Sequence, residues 1–344
     1  MIYFRPIVMT DAARPKGALQ LAGGWTWFAE CEVLTRGGSI GRIAAGDVPP
    51  EARARLTAPR TALAGLALDR PRLMGILNVT PDSFSDGGRF LDADAAVAQG
   101  MALAENGAEI VDIGGESTRP GAAEVPEAEE IRRTAPVIAA LRRAGLRTPI
   151  SVDTRKASVA QAALAAGADT VNDVSALTFD SAMAGVVASA KAPLILMHAQ
   201  GAPATMQADP RYDNVLLDVW DFLAARIAVA EAAGIPRARI LVDPGIGFGK
   251  SVAHNLALLR GISLFHSLGC AVLLGASRKR FIGTVAHVPD TDDRGPGTIA
   301  VTLAAVAQGV QVHRVHDTSA VRQAMRLWQA STGILTGQAA GETD

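Results

Sequence analysis

The chain has 344 residues, a formal net charge of −1 and two cysteines, and 49% of its residues are hydrophobic. The near-neutral charge gives no general reason to expect binding to nucleic acid or to an anionic membrane. Two cysteines without metal or redox spacing exclude a disulfide framework and indicate a reducing compartment.

The N-terminal segment, residues 1–71, lacks the regular alternation of strand-like and helix-like stretches that characterises the rest of the chain. It contains a possible strand, WTWFAECEVLTR, and a possible helix within PPEARARLTAPRTALAGLAL. We predict a structural appendage that caps the following domain, with partner binding as the alternative. No stretch has the apolar length of a signal peptide or a membrane span, so we expect a cytoplasmic protein without membrane contact.

From residue 72 onward, short runs rich in Val, Ile and Leu alternate with amphipathic helical stretches. Such continuous apolar runs are typical of parallel strands that are buried on both faces. The candidate strands are RLMGILNV (72–79), EIVDIGG (109–115), PISVDT (149–154), TVNDVSAL (170–177), PLILMH (193–198), RILVDPG (239–245), AVLLGAS (271–277) and VQVHRVHD (310–317).

The stretches between the strands have helical spacing. PEAEEIRRTAPVIAALRRAG places acids in its first turn and bases in its last, and NLALLRGISLFHSLG is predicted to be one helix. Strict alternation of eight strands with eight helices predicts a (β/α)8 barrel over residues 72–334, followed by a C-terminal tail, 335–344. An open, doubly wound sheet is the alternative, although it usually has fewer strands.

Nearly every candidate strand ends in polar residues. A single one could be a helix cap or a turn residue. In a (β/α)8 barrel, however, the C-terminal strand ends form one rim, where active sites lie. Because buried charges need partners or a ligand, a whole rim of them indicates a ligand site. The residues are Asn78, Asp112, Asp153, Asn172, Asp173, Met197, His198, Asp243, Ser277, Lys279, Arg314 and His316.

The rim chemistry suits a flat, nitrogen-rich heterocycle. Asp153, Asn172, Asp243 and Lys279 together offer acceptors, amide donors and an ammonium group for such a ring. Arg314 could stack its planar guanidinium on the ring while reaching an anion.

An anion and a metal are also expected. Arg119, Arg314 and His316 could hold a polyphosphate together with backbone N–H groups. Asn78 offers an oxygen to Mg²⁺, which commonly keeps waters and substrate phosphate as its other ligands. PGIGFGK matches neither nucleotide-loop pattern, and Phe248 within it is either an apolar wall for an aromatic substrate or ordinary core.

Eight motifs in this order and spacing resemble those of the dihydropteroate synthase family, over about residues 72–334. They are LMGILNVTPDSFSDGG, DIGGESTRPGA, SVDT, NDVSAL, LMHAQGAPATMQ, DPGIGFGK, GASRKRFIG and RVHD. The resemblance implies a (β/α)8 barrel that condenses 7,8-dihydropterin-6-ylmethyl diphosphate with 4-aminobenzoate. It also implies a magnesium requirement, sulfonamide binding at the aminobenzoate site and a homodimer.

The resemblance also implies roles for individual residues. The metal ligand would be Asn78, and the catalytic residues would be Asp86, Asp153, Lys279 and Arg314. Substrate contacts would come from Phe84, Asp112, Thr118, Arg119, Pro120, Asp153, Asn172, Met197, Asp243, Phe248, Lys250, Ser277, Lys279, Arg314 and His316. The segment Thr80–Gly88 would be a lid, with Phe84 as an apolar wall and Asp86 as a counter-charge for a pterin cation.

Two other functions remain as alternatives. A pterin-binding methyltransferase barrel could share the Asp/Asn pocket, but it has no need of NVTPDSFSDGG or RVHD in this form. A non-catalytic barrel that partners another folate enzyme would not need the intact rim.

Overall fold

The computed structural model describes residues 1–80, 89–117, 124–201 and 206–333, and for residues 89–93 the backbone alone. Eight parallel strands form a closed barrel in chain order, and β12 pairs with β5 to close it. The (β/α)8 prediction is therefore confirmed, and the open sheet is excluded. The barrel strands are β5 (Arg72–Asn78), β6 (Ile110–Gly114), β7 (Ile150–Asp153), β8 (Thr170–Asp173), β9 (Leu194–Met197), β10 (Ile240–Asp243), β11 (Ala271–Leu274) and β12 (Val312–Val315).

Helices surround the barrel and bury their apolar faces against the outer side chains of the strands. The connection after β11 contains two helices, α8 and α9, whereas the sequence predicts one. The helices of the barrel are α2 (Arg89–Glu105), α3 (Glu127–Arg143), α4 (Ala157–Ala165), α5 (Met183–Ala190), α6 (Val215–Ala232), α7 (Val252–Arg260), α8 (Arg280–Ala286), α9 (Gly295–Val306) and α10 (Thr318–Ser331). No helix within the described ranges is long and apolar enough to cross a membrane.

Two predicted elements differ from the structure. NLALLRGISLFHSLG is not one helix, because α7 ends before Gly261 and Ile262–Leu268 is a 3-10 segment. Gly261 is the C-cap residue of α7, and a side chain there would come within 2.5 Å of the Leu216 side chain on α6.

The strand predicted over residues 170–177 ends at Asp173. The Asp173 carboxylate accepts hydrogen bonds from the N–H groups of Ser175 (2.8 Å) and Leu177 (2.7 Å). Ala176 and Leu177 have left-handed backbone, with φ of 51° and 64°. A side-chain-capped turn therefore replaces the last part of the strand.

The N-terminal segment forms a four-stranded antiparallel sheet and one helix. The strand predicted within WTWFAECEVLTR is confirmed, and the predicted helix is limited to PEARARLT. The elements are β1 (Tyr3–Met9), β2 (Leu19–Gln20), β3 (Trp27–Thr35), β4 (Gly38–Ala44) and α1 (Pro50–Thr57).

This sheet packs at the side of the barrel, and the chain after it closes the barrel's N-terminal end. The Tyr3 ring meets Trp220 of α6 edge-on at 5.1 Å between centroids, and Ser263 of the 3-10 segment donates to the Pro6 carbonyl (3.0 Å). Leu63 and Leu68 are buried against inward-facing residues of the strands.

Inside the barrel, the inward-facing residues change from apolar to polar along the strands. The lower layer consists of Met74, Ile110, Ile195, Leu241, Leu273 and Val312. Two residues further along a strand, the side chain points to the same face. The residues two positions after Ile110, Leu241 and Val312 are Asp112 on β6, Asp243 on β10 and Arg314 on β12. A buried polar layer therefore lies directly above the apolar one.

Candidate active site

Arg314 is the centre of the polar layer. Its Nε donates to Asp112 Oδ2 at 2.5 Å, and its Nη2 donates to Asp153 Oδ2 at 2.7 Å. Asn172 Nδ2 also donates to Asp112 Oδ2, at 3.3 Å. Four strands, β6, β7, β8 and β12, thus share one hydrogen-bonded network around a buried guanidinium. Burial opposes the charge, but Asp112 and Asp153 raise the pKa of Arg314 above its ordinary value, so the group stays cationic.

Two carboxylate oxygens in this network have no hydrogen-bond partner among the described residues. They are Asp112 Oδ1 and Asp153 Oδ1, and both are buried. A buried acceptor without a partner carries a substantial desolvation cost. Both oxygens are therefore available to the N–H donors of a ligand bound above the layer.

Burial also changes the charge state of Asp153. It raises the pKa of the carboxyl to about 7, while Arg314 opposes the rise and Asp112 adds to it. The group titrates close to neutral pH, as expected for a carboxylate in a desolvated functional site.

Asp243 forms the second acceptor group, opposite the network. Its Oδ1 accepts the N–H of Gly245 at 2.7 Å. Burial raises the pKa of Asp243 to about 6, and the Gly245 N–H, Lys279 and Lys250 each pull it down. The carboxylate is thus poised to be charged at neutral pH.

Lys279 lies across the glycine-rich segment after β10. Its Nζ is 3.9 Å from the centroid of the Phe248 ring, a cation–π contact. A side chain on Gly247 would come within 3.1 Å of Lys279 Cδ, so the lysine stem needs the space that this glycine leaves. Phe248 is therefore part of the rim, and the alternative of ordinary core does not hold.

Lys250 is buried beneath the rim and bonds to protein groups. Its Nζ lies 2.8 Å from His198 Nδ1, 3.0 Å from the Phe248 carbonyl and 3.3 Å from the His198 carbonyl. Burial lowers the pKa of Lys250 to about 7. Lys250 thus bridges the loops after β9 and β10, and its contact with a substrate stays a prediction.

Ser277 and His316 join the ends of β11 and β12. Ser277 Oγ lies 2.9 Å from His316 Nδ1, and the His316 N–H donates to the same oxygen at 3.3 Å. Met197 is buried at the end of β9, at the same level of the barrel. The predicted residues of seven strands, β6 to β12, and of the loops that follow them are therefore brought to one rim.

Asn78 ends β5 next to a space left by a glycine. A methyl group placed on Gly114 would lie 3.8 Å from Asp153 Oδ2 and 3.9 Å from Asn78 Oδ1. Asn78 Oδ1 is an oxygen of the type that Mg²⁺ prefers, whereas Asp153 Oδ2 already accepts a hydrogen bond from Arg314. Over the described ranges, no group of three His, Cys, Asp or Glu residues could hold a metal alone. Asn78 therefore fits an ion that takes its remaining ligands from water and substrate phosphate.

The comparisons with known proteins fit this rim. The family model described as "Pterin binding enzyme" matches residues 74–316, about seven-tenths of the chain. The chain belongs to the pterin-binding enzyme family.

Relatives in this family match this chain over more than three quarters of its length and have a similar structure. The dihydropteroate synthase of Synechocystis is 46% identical over 76% of this chain and 90% of its own. A structure of Xanthomonas albilineans dihydropteroate synthase with 4-aminobenzoic acid is 49% identical, covers 79% of this chain and 98% of its own, and has a TM-score of 0.74. The same enzyme in complex with 7,8-dihydropteroate has a TM-score of 0.72 at 46% identity, over 79% and 98% of the two chains.

Several predicted residues of this pterin-binding protein lie outside the described residues. They are Phe84, Asp86, Thr118, Arg119 and Pro120. The lid predicted over Thr80–Gly88 falls outside them as well, except for Thr80. Their roles stay predictions from the family resemblance.

The structure also contains a buried charge cluster that we did not predict. Lys156 Nζ donates to Glu130 Oε2 (2.6 Å), Glu116 Oε2 (3.0 Å) and the Val125 carbonyl (2.6 Å). Glu116 also accepts the Val125 N–H at 3.1 Å. The cluster ties the chain after β6 to the start of α4. The sequence does not bring these residues together, because Glu116 lies in DIGGESTRPGA, Lys156 follows SVDT, and Glu130 lies in a separate helical stretch.

Proposed function

We propose that the protein is a dihydropteroate synthase, which condenses (7,8-dihydropterin-6-yl)methyl diphosphate with 4-aminobenzoate to give 7,8-dihydropteroate and diphosphate. The observation that carries the proposal is the buried polar layer. In this layer Asp112 Oδ1 and Asp153 Oδ1 have no hydrogen-bond partner among the described residues. The relatives support it, because structures of a 46–49% identical enzyme contain 4-aminobenzoic acid or 7,8-dihydropteroate.

The polar layer would bind the pterin edge. A pterin presents an amino group and ring N–H groups as donors, beside a carbonyl acceptor. Asp153 and Asp243 would accept from the donors, and Asn172 and Lys279 would donate to the acceptors. Arg314 is fixed by Asp112 and Asp153, so its plane is preorganised as a platform for the ring and its charge for the departing anion.

The reaction needs positioning and charge compensation more than acid–base catalysis. The methylene–oxygen bond breaks, and its electron pair leaves with diphosphate. The lone pair of the arylamine forms the new carbon–nitrogen bond, and the amine proton passes to solvent. The arylamine is largely neutral at pH 7, so no strong base is required. Correct placement of two reactants can supply about 7–11 kcal/mol of the barrier.

Asn78 would hold a magnesium ion together with water and substrate phosphate, and the ion would supply charge neutralisation for the leaving diphosphate. Asn78→Ala removes the neutral oxygen ligand, so we expect the Mg²⁺ concentration for half-maximal diphosphate release to rise several-fold. Pterin affinity measured without metal should not change. An unaltered Mg²⁺ requirement would contradict the role of Asn78.

Product formation tests the proposal directly. Purified protein with Mg²⁺ should release diphosphate only when both the pterin diphosphate and 4-aminobenzoate are present, with 7,8-dihydropteroate formed in equal amount. A sulfonamide should compete with 4-aminobenzoate. Absence of diphosphate release, or release that does not depend on 4-aminobenzoate, would contradict the function.

The family resemblance further supports a homodimer in the cytoplasm. Light scattering of the purified protein should give twice the mass of the chain. A monomer at micromolar concentration would contradict the dimer and would leave the catalytic proposal unchanged.

A further inference from the structure

Arg278 stands between two residues of the rim, Ser277 and Lys279, and has a left-handed backbone with φ of 56°. Few residues other than glycine adopt this conformation without support from their surroundings. It lies where the chain turns from the end of β11 into α8. The two flanking side chains reach opposite neighbours of β11: Ser277 contacts His316 after β12, and Lys279 contacts Phe248 after β10.

The peptide groups of Arg278 are held on both sides by residues at the start of α9. Its N–H donates to Thr298 Oγ1 at 3.0 Å, and its carbonyl accepts from Arg294 Nη1 at 3.1 Å. Thr298 Oγ1 in turn donates to the Arg294 carbonyl at 3.0 Å. Thr298 is buried, with 4% of its surface exposed, so its hydroxyl serves these two bonds in a dry environment.

Arg294 is itself anchored to the connection between α8 and α9. Its Nε donates to the Val288 carbonyl at 3.4 Å, and its Nη2 donates to the Pro289 carbonyl. One guanidinium thus joins three carbonyls, including that of Arg278. The N-terminal end of α9 therefore supports the left-handed turn, although it contributes no side chain to the polar layer.

We propose that Thr298 and Arg294 are positioning residues that set the directions of Ser277 and Lys279 and thereby the affinity for 4-aminobenzoate. This inference rests on the proposed function. By the family resemblance, Ser277 and Lys279 border the 4-aminobenzoate. The pterin edge would contact Lys279 as well, but its other contacts, Asp112, Asp153, Asn172 and Asp243, lie on other strands. A change at Thr298 should therefore weaken 4-aminobenzoate binding more than pterin binding.

The test compares Thr298→Val, which keeps the size of the side chain and removes the acceptor, with Thr298→Ser, which restores it. Calorimetry measures the affinity for 4-aminobenzoate, and separately for a pterin analogue. Thr298→Val should weaken 4-aminobenzoate binding about tenfold, the effect of one lost buried hydrogen bond, and should weaken pterin binding clearly less, because Lys279 is one of several pterin contacts. Thr298→Ser should restore the affinity. Thr302→Val, at a buried threonine one turn further along α9, is the matched control and should bind both ligands normally.

A second variant tests the same proposal if Thr298→Val does not fold. Arg294→Lys keeps the charge but cannot reach three carbonyls, and it should show the same selective loss. Equal weakening of both ligands, unchanged 4-aminobenzoate affinity, or no rescue by serine would overturn the proposal. Wild-type protein that binds 4-aminobenzoate but releases no diphosphate would contradict the proposed function instead, because the Thr298 comparison depends on affinity alone.

Discussion

Asp243 has a carboxylate that is deeply buried yet must accept hydrogen bonds from a ligand. Burial raises the pKa of Asp243 to about 6 and that of Asp153 to about 7. Below these values each group gains a proton and accepts hydrogen bonds less well. Affinity for a pterin analogue that does not titrate between pH 5 and 8 should therefore fall as the pH decreases through this range.

Calorimetry at half-unit intervals of pH measures this dependence. Asp243→Asn removes one of the two titrations, so its affinity curve should be lower at pH 8 and less steep below pH 7. A wild-type affinity that stays constant from pH 8 to pH 5 would contradict the assignment of these carboxylates to the ligand.

Asp153 provides a test that separates binding from stability. Because its folded-state pKa is raised, the contribution of this group to stability is present at low pH and is lost as the pH rises from about 4 towards about 7. Neutral Asp153→Asn should therefore fold well at pH 8. It should nevertheless bind the pterin analogue roughly 100-fold more weakly, because a charged acceptor is lost.

Thermal unfolding and calorimetry on the same sample check both parts of this prediction. Ser151→Ala, two residues earlier on the inward face of β7, is the matched control and should keep wild-type affinity. Normal pterin binding by Asp153→Asn would remove Asp153 from the site.

At the level of elements, the backbones of the loops after β9 and β10 are in direct contact. A side chain on Gly245, which has φ of +67°, would come within 1.8 Å of the His198 carbonyl oxygen. Gly234, with φ of +92°, has no atom within 4 Å of the same position. The two glycines share a left-handed backbone, but only Gly245 has a steric constraint.

Gly245→Ala and Gly234→Ala thus form a matched pair. Gly234→Ala should lower the free energy of unfolding by about 1 kcal/mol through backbone strain alone. Gly245→Ala should lower it by several kcal/mol and also weaken pterin binding, because the Gly245 N–H holds the Asp243 carboxylate. Chemical denaturation measures both, and equal losses would contradict the role of close packing.

The barrel elements could be predicted from the sequence because each strand is a continuous apolar run. Asp112, Asp153, Asn172, Asp243 and Arg314 could be predicted as site residues because all lie at strand ends. The hydrogen bonds among them could not be predicted, because the sequence does not indicate that Arg314 Nε donates to Asp112 and Nη2 to Asp153.

Other features depend on contacts that the sequence pattern does not record. The Lys250 side chain reaches the His198 ring of the preceding loop. The strand predicted over residues 170–177 stops at Asp173, because the Asp173 carboxylate caps a turn that includes the Leu177 N–H. The helix predicted across Gly261 divides at that glycine into α7 and a 3-10 segment.

At the scale of the whole molecule, the N-terminal segment covers the outer surface of α6 and of the 3-10 segment before β11. Tyr3 is buried against Leu217 and Leu264, and its hydroxyl donates to both carboxylate oxygens of Asp221 at 3.0 Å. Arg36 forms ion pairs with Asp218 and Asp221. The match to the Synechocystis relative includes 90% of that enzyme but 76% of this chain, so most of the relative is accounted for without a counterpart of this sheet.

Removal of residues 1–60 should therefore destabilise the barrel and leave catalysis intact. The truncation uncovers the surface beneath Tyr3 but keeps Leu63 and Leu68, which close the N-terminal end of the barrel. We expect a lower melting temperature and an unchanged kcat/KM at temperatures where the truncated protein is folded. Leu63→Ala in the full chain is the companion variant, and its buried cavity should cost about 2–5 kcal/mol of stability without affecting turnover. Truncated protein that is folded by circular dichroism but has lost turnover would instead assign the N-terminal segment a part in catalysis.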